Sequence, residues 1–154
     1  MAAVKAKPSS KSPRRRAREL SLQALYAWQL AGGGAGEIVE QMRALEGHEQ
    51  ADKGLAERLV RGVIAEADAL KPLIVGCIDR SFESLSPVER AILYIGAYEL
   101  SKSPETPFKV VLNEAIELGK SYGGTGGHKF VNGALEKLAG RVRPEEVASA
   151  RPAA

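Results

Sequence analysis

The sequence has little of the residue types that build disulfide, metal or membrane-spanning structure. Its one cysteine, Cys77, cannot form an internal disulfide, and its two histidines, His48 and His128, stand apart from any cluster with metal-ligand spacing. No apolar run approaches the ~18 residues that a membrane-spanning helix needs. The N-terminus also lacks the apolar segment of a secretory signal. These absences predict a cytoplasmic protein without a metal centre.

The motifs of common nucleotide-binding enzymes are also missing. The triplet at 119–121 (GKS) resembles the end of a P-loop, but Glu114 stands where the first glycine of that motif should be. The glycine-rich stretch 123–127 lacks the spacing and the preceding strand of a dinucleotide site. Cys77 lies among aliphatic residues and is interpreted as a core residue. We therefore expect no catalytic activity and no cofactor.

Acidic residues are absent from the first 18 positions. These positions carry a charge of +7, whereas the rest of the chain, with 15 basic and 19 acidic residues, carries −4. A basic block of this kind often binds polyanions. A solvated tail has the same composition, and so does an Arg- and Ser-rich transit peptide.

Apolar residues recur at helical spacing through most of the chain, and no segment alternates with the period of a β-strand. Ser12, Asp52, Ser86 and Thr106 precede the apolar segments and can cap helices there. Pro72 is expected to break or kink the third helix, with another apolar helical segment at 73–82. The sequence predicts an all-α protein, a compact bundle of six to seven helices.

The pattern also suggests how the chain is divided. We expect a disordered basic tail over residues 1–11, a helical domain over 12–142 and a flexible tail over 143–154. Within the domain, a seam near the Ser86-Pro87 start signal predicts two packed three-helix subdomains, about 12–82 and 83–142.

Arginines occupy the first turn of the predicted first helix, where acidic residues would be more stable. Each cation there is unfavourable by about 0.3 kcal/mol or more, because it faces the positive end of the helix dipole. Arg14, Arg15 and Arg16, with Arg18 one turn on, would form an anion site together with the unpaired backbone N–H groups. The alternative is that these arginines pair with acids elsewhere on the protein.

A second candidate site lies where the last glycine-rich stretch leads into a helix. His128 and Lys129 can meet a phosphate there, and Phe130 can stack on an unpaired base. Helical spacing alone favours Phe130 as a core residue.

Three segments of the chain resemble the NusB antitermination family, in the order and spacing of that family. They are residues 13–30 (PRRRARELSLQALYAWQL), 88–100 (VERAILYIGAYEL), and 113–118 (NEAIEL) followed by 128–133 (HKFVNG). The resemblance covers about residues 13–140 and implies two packed three-helix bundles. It implies a bacterial factor that binds single-stranded boxA RNA together with the ribosomal protein NusE. Such a factor joins RNA polymerase and other Nus factors, suppresses premature termination and supports ribosomal RNA transcription.

The resemblance also implies roles for individual residues, and it favours Phe130 as an RNA contact rather than a core residue. The implied RNA contacts are Arg14, Arg15, Arg16, Arg18, Gln23, Tyr26, His128, Lys129 and Phe130. The implied contacts with the ribosomal-protein partner are Glu89 and Arg90.

The loop before His128 departs from the family pattern. Many members have acidic residues there, whereas this chain has Gly124-Thr125-Gly126-Gly127. The loss of negative charge reduces the repulsion of RNA phosphates, so we expect equal or tighter RNA binding.

Two other functions stay open at this point. One is a non-catalytic interaction protein whose basic segment is only a tail. The other is a stand-alone relative of the NusB-like domain that is fused to RNA cytosine methyltransferases. The methyltransferase activity would need a Rossmann-like cofactor site, for which this sequence has no pattern.

Overall fold

The structure is a computed structural model that describes residues 11–124 and 126–150. All regular secondary structure in these two stretches is helical, which confirms the predicted all-α fold. The α-helices are α1 (Pro13–Ala31), α2 (Ala35–Arg43), α3 (Lys53–Val75), α4 (Pro87–Lys102), α5 (Phe108–Tyr122), α6 (Gly127–Val142) and α7 (Pro144–Ala150). Short 3-10 helices at His48–Gln50 and Phe82–Ser84 precede α3 and α4. Of the predicted N-terminal tail, only Lys11 lies within the described residues.

The start of α1 follows the predicted signal. Ser12 Oγ accepts a hydrogen bond from the Arg15 N–H at 3.1 Å, and Pro13 occupies the first helical position. The Ser12 carbonyl accepts from the Arg16 N–H at 3.0 Å. The expectation of unpaired N–H groups is therefore wrong for Arg15 and Arg16, and their side chains remain to hold an anion.

The predicted break at Pro72 is wrong. Asp52 caps α3 as expected, but the helix continues through Pro72 to Val75, and no separate helix spans 73–82. A proline removes one N–H donor without forcing the chain to turn, and no capping residue follows it to start a new helix. The Gly76 N–H still bonds to the Pro72 carbonyl at 3.0 Å.

The central helix of the fold is α4. It begins with the predicted capping box, since Ser86 Oγ accepts from the Glu89 N–H and Glu89 Oε1 accepts from the Ser86 N–H, both at 3.1 Å. Every residue from 91 to 97 is buried. A Cβ on Gly96 would lie 2.6 Å from Leu135 of α6, so these two helices pack too closely for a larger residue. Helix α4 therefore contacts α1, α3, α5 and α6.

The hydrophobic core is shared by both halves of the chain. One cluster of buried side chains includes Val63 of α3, Ile92 of α4 and Leu135 of α6. The two predicted subdomains, about 12–82 and 83–142, would therefore share this one core. None of the described helices combines the length and apolar character of a bilayer span.

Over residues 143–150 the C-terminal segment differs from the flexible tail that was expected over 143–154, and residues 151–154 lie outside the described residues. Residues 144–150 form α7, and Arg143 before it is buried. The Arg143 guanidinium donates hydrogen bonds to the carbonyls of Glu99, Leu100, Ser103 and Thr106 at 2.6–3.0 Å. It thereby binds the end of α4 and the segment that follows.

The predicted cap at Thr106 is also wrong, because Pro107 occupies the N-cap position of α5 and makes no side-chain bond there. The Phe108 N–H instead bonds to Glu146 Oε2 of α7 at 2.8 Å. A side chain from the last helix thus supplies the missing cap.

Candidate nucleic-acid interface

The four arginines of α1 differ sharply in exposure. Arg14 is the most open, with its side chain 73% exposed and its Nε 3.9 Å from Asp52. Arg16 is partly exposed and makes no ion pair within the described part of the chain. Its guanidinium lies beside Gly47, the residue before the His48–Gln50 turn. These two side chains are available to an anion in solution.

Arg18 lies in the protein interior, in contrast to the expected RNA contact. Its Nε and Nη2 each donate to a carboxylate oxygen of Glu99 at 2.9 Å, and the two side chains are 4% and 2% exposed. Burial acts to lower the pKa of Arg18, but the hydrogen bonds and the charge of Glu99 outweigh it and raise that pKa. Because a phosphate would have to break this buried pair, we assign Arg18 a structural role.

Arg15 is intermediate between these cases. Its side chain is 38% exposed and donates to Glu114 of α5, from Nε to Oε1 at 3.3 Å and from Nη2 to Oε2 at 2.9 Å. The hydrogen bond to Glu114 raises the pKa of Arg15. Glu114 also lies 3.7 Å from Nη1 of Arg18, so it faces two arginines. A phosphate at Arg15 must compete with this carboxylate.

Farther along α1, Gln23 contacts the end of α5. Gln23 Nε2 donates to Tyr122 Oη at 3.3 Å, and burial raises the pKa of Tyr122 to about 12. Tyr26, one turn on, is partly exposed. Gln23 therefore joins α1 to α5, and Tyr26 is the more accessible of the two predicted secondary contacts.

The second predicted site lies at the start of α6. Gly126 adopts a left-handed conformation with φ 81°, which favours glycine, and it turns the chain into the helix. A Cβ on Gly119 of α5 would lie 2.8 Å from His128, so the two helices cross closely at this point. This crossing positions His128, which is half-buried, and Lys129, which is exposed.

Phe130 is partly buried rather than fully in the core. It packs against the core at one side, and the Arg80 guanidinium lies 4.0 Å from its ring centroid. A small cavity of about 190 Å³ adjoins the ring and is lined also by Ile78, Lys129 and Lys137. No sequence signal indicated Arg80. This residue follows α3 in an irregular segment, and its contact with α6 arises only from tertiary packing.

The two predicted partner contacts have local structural roles. Glu89 belongs to the capping box of α4, and Arg90 donates to the carbonyls of Phe82 at 3.2 Å and Glu83 at 3.0 Å. An exposed apolar side chain, Leu30, lies at the end of α1 and is 52% exposed.

Gln29, the residue before Leu30, donates from Nε2 to the Pro87 carbonyl at 2.8 Å, which brings the end of α1 beside the start of α4.

Cys77 is buried, as expected for a core residue. Among the described residues, no group of three or more His, Cys, Asp or Glu side chains could hold a metal ion.

Comparison with known proteins covers most of the chain. The NusB family model matches residues 15–140. A transcription antitermination protein NusB from Paraburkholderia phytofirmans is 47% identical over 141 residues, which are 92% of this chain and 98% of that protein. The solved structure of T. maritima NusB has a TM-score of 0.78 and 32% identity, over 90% of this chain and 99% of its own.

A third similar protein is known from a structure of antitermination factors NusB and NusE in complex with dsRNA. It shares the fold, with a TM-score of 0.70 and 24% identity over 82% of this chain and 96% of its own. Arg15, Arg16 and Arg18 of α1 and the turn into α6 lie within the matched residues, and Arg14 directly precedes them. This chain belongs to the NusB family.

Proposed function

We propose that this protein is a non-catalytic, RNA-binding transcription antitermination factor of the bacterial cytoplasm. Its relatives are named transcription antitermination proteins, and the match extends over nearly the whole of their length. In this role it binds a single-stranded, boxA-type RNA together with the ribosomal protein NusE. It acts with RNA polymerase and other Nus factors to suppress premature termination and to support ribosomal RNA transcription.

The observation that carries the RNA-binding proposal is the open, basic start of α1. Arg14 is exposed, Arg16 is partly exposed and makes no ion pair within the described stretches, and the Arg15 guanidinium is held by its ion pair with Glu114. Guanidinium groups bind phosphate through paired hydrogen bonds, so this turn can hold successive phosphates of one strand. Arg18 stabilises the site indirectly, because its buried ion pair with Glu99 joins α1 to α4.

Phe130 and Lys129 form the second part of the proposed RNA site. An aromatic ring that is partly exposed offers a stacking surface to any unpaired base, while the Lys129 ammonium meets the neighbouring phosphate. Arg80 lies over the Phe130 ring, so a base must displace this planar cation or stack on it. Helix α5 lies between the two parts, since it contacts Arg15 through Glu114 and leads into α6.

We propose the opposite edge, where α1 ends and α4 begins, as the surface for NusE. It combines the exposed Leu30 with Glu89 and Arg90. An apolar centre with a charged rim is typical of protein interfaces.

The test is RNA binding measured by fluorescence anisotropy over a range of salt concentrations. With Arg14, Arg15, Arg16 and Lys129 each neutralising a phosphate, the slope of log K against log salt should be about −3 for a single strand. The Arg14→Ala/Arg16→Ala variant should flatten that slope by about 1.4, since each lost contact removes about 0.7.

The matched control is Lys102→Ala/Lys109→Ala, which removes two exposed charges from other helices. It should leave the slope unchanged. Adding NusE should tighten binding to boxA-like RNA more than to a scrambled sequence. Equal effects of the two double variants would contradict the proposed site, and equal affinity for the two RNAs would contradict boxA recognition.

A further inference from the structure

A cavity outside the proposed RNA site lies between α2, the His48–Gln50 turn and the start of α3. Its volume is about 390 Å³. Val39 and Met42 of α2 provide apolar lining and are themselves buried, whereas the α3 side is formed by basic residues. Its size is within the range of small-molecule binding sites, roughly 300–1,000 Å³, and exceeds what an inorganic phosphate would fill.

His48 lines this cavity with an unsatisfied polar atom. The residue is 8% exposed, and its Nδ1 has no hydrogen-bond partner among the described residues. The nearest carboxylate oxygen, from Glu49, is 4.0 Å away, beyond hydrogen-bond distance. Buried polar nitrogens are normally paired, so His48 Nδ1 can make one more hydrogen bond, to a water or to a ligand group.

The charges around the cavity favour an anion. Four cations, Arg43, Lys53, Arg58 and Arg61, line it together with one acid, Glu57. Glu57 accepts from Arg43 at 3.1 Å and from Arg61 at 3.2 Å, and these hydrogen bonds lower its pKa. Glu40 also pairs with Arg43 at 2.7 Å, and Glu49 pairs with Lys53 at 2.8 Å. Three of the four cations therefore have acidic partners, and Arg58 supplies the uncompensated positive charge.

Arg58 is the cation best placed to bind a ligand. It is exposed and makes no hydrogen bond or ion pair with any other described residue, while Lys53 pairs with Glu49 at 2.8 Å. An incoming phosphate would therefore meet a guanidinium with no competing carboxylate.

The cavity adjoins the arginine-rich start of α1. The Asp52 N–H bonds to the Pro13 carbonyl at 2.9 Å, and Asp52 lies directly before Lys53 of the cavity. Arg14 lies 3.9 Å from Asp52, and Arg16 lies beside the residue that precedes His48. A phosphate-bearing ligand in the cavity would thus sit next to the exposed arginines.

We propose that this cavity binds a nucleotide, with its phosphate on Arg58 and Lys53 and its base or sugar in the remaining volume beside His48. The nucleotide is either free in solution or part of an RNA strand that continues from the start of α1. Both sources present a phosphate, a sugar and a base to the cavity. The free-nucleotide site does not depend on the proposed antitermination function.

The experiment is an NMR titration of the ¹⁵N-labelled full chain, following the backbone amides of His48 and Gly54. The probes are adenosine and uridine 5′-monophosphate, inorganic phosphate, and a short single-stranded RNA. We expect saturable shifts with a mononucleotide or with the RNA, and binding about tenfold weaker in Arg58→Ala, since a charge-assisted contact is lost. Lys109→Ala, which removes an exposed charge from α5, should bind like the unmodified protein.

The probes distinguish the two sources of the nucleotide. Shifts with mononucleotides assign a free-ligand site, whereas shifts with RNA alone, reduced by Arg14→Ala/Arg16→Ala, assign a strand that passes from α1. The proposal is overturned if neither probe shifts these amides, if inorganic phosphate binds as well as a nucleotide, or if Arg58→Ala binds normally. Because anisotropy measures RNA binding at α1 separately, a failure here is distinct from a failure of the antitermination proposal.

Discussion

Arg15 on α1 and Glu114 on α5 form a two-point ion pair at the edge of the proposed RNA site, with their shorter contact at 2.9 Å. The pair joins residues that are 99 positions apart. It holds the guanidinium in a defined position and at the same time occupies the hydrogen bonds that a phosphate would use. Glu114 is therefore a competitor of RNA at this position.

We predict that Glu114→Gln binds single-stranded RNA more tightly. The amide keeps the shape of the side chain but lacks the charge, so a phosphate at Arg15 no longer competes with a carboxylate. Affinity should therefore rise at each salt concentration, while the salt slope stays at about −3. Glu117→Gln is the matched control, because it removes the same charge one turn farther along α5. Weaker binding in Glu114→Gln would show that the carboxylate positions Arg15 for RNA rather than competes with it.

Arg18 should be essential for stability rather than for RNA binding. Arg18→Met leaves Glu99 as an unpaired charge in the core, which should lower the free energy of unfolding by about 3–5 kcal/mol. Urea denaturation measures this change, and Arg14→Met at the exposed surface should shift stability by less than about 0.5 kcal/mol. The double variant Arg18→Met/Glu99→Leu should recover most of the loss. A stable Arg18→Met protein with weakened RNA binding would reverse our assignment.

The Phe130 ring should contribute to RNA binding beyond its packing. Phe130→Leu keeps an apolar side chain against the core but removes the stacking surface, so affinity for single-stranded RNA should fall by about 1–3 kcal/mol. Thermal unfolding of the same variant checks that the fold is intact. An unchanged affinity with an intact fold would place Phe130 in the core alone.

The charge of the loop before α6 should tune RNA affinity. Gly126→Asp adds a carboxylate two residues from His128 and three from Lys129, so it should weaken binding by repelling phosphate. Gly126→Asn is the matched control, because Asp and Asn both tolerate the left-handed conformation at φ 81°. Anisotropy should show a loss for Gly126→Asp relative to Gly126→Asn. Equal affinities would mean that backbone shape, and not charge, governs this loop.

Local signals in the sequence were sufficient for most of the helices. Ser12, Asp52 and Ser86 cap α1, α3 and α4 as predicted, because a cap depends only on neighbouring residues. The start of α5 was not predictable in this way, since its first N–H is capped by Glu146 from α7. A bond across 38 positions has no local signature.

The candidate site also depends on contacts between distant residues, which local sequence signals do not predict. In the sequence, the four arginines at the start of α1 are indistinguishable as cations. In the fold, the side chain of Arg18 is buried, whereas those of Arg14, Arg15 and Arg16 are at least partly exposed. One signal was available, because Glu99 is the one charged residue in the apolar stretch 91–100, and such a residue needs a buried partner. Which arginine would meet it depended on how α1 crosses α4, and that is a property of packing.

The central position of α4 has a consequence for dividing the protein. Cleavage of the chain between residues 84 and 86 would leave one fragment with α1 to α3 and another with α4 to α7. Each would expose the apolar face that the other covers, because α4 packs against α1 and α3 as well as against α5 and α6. Each fragment should be insoluble or unfolded alone, and the two should reassemble when mixed. Fused to two other proteins, the fragments would then report whether those proteins lie close together.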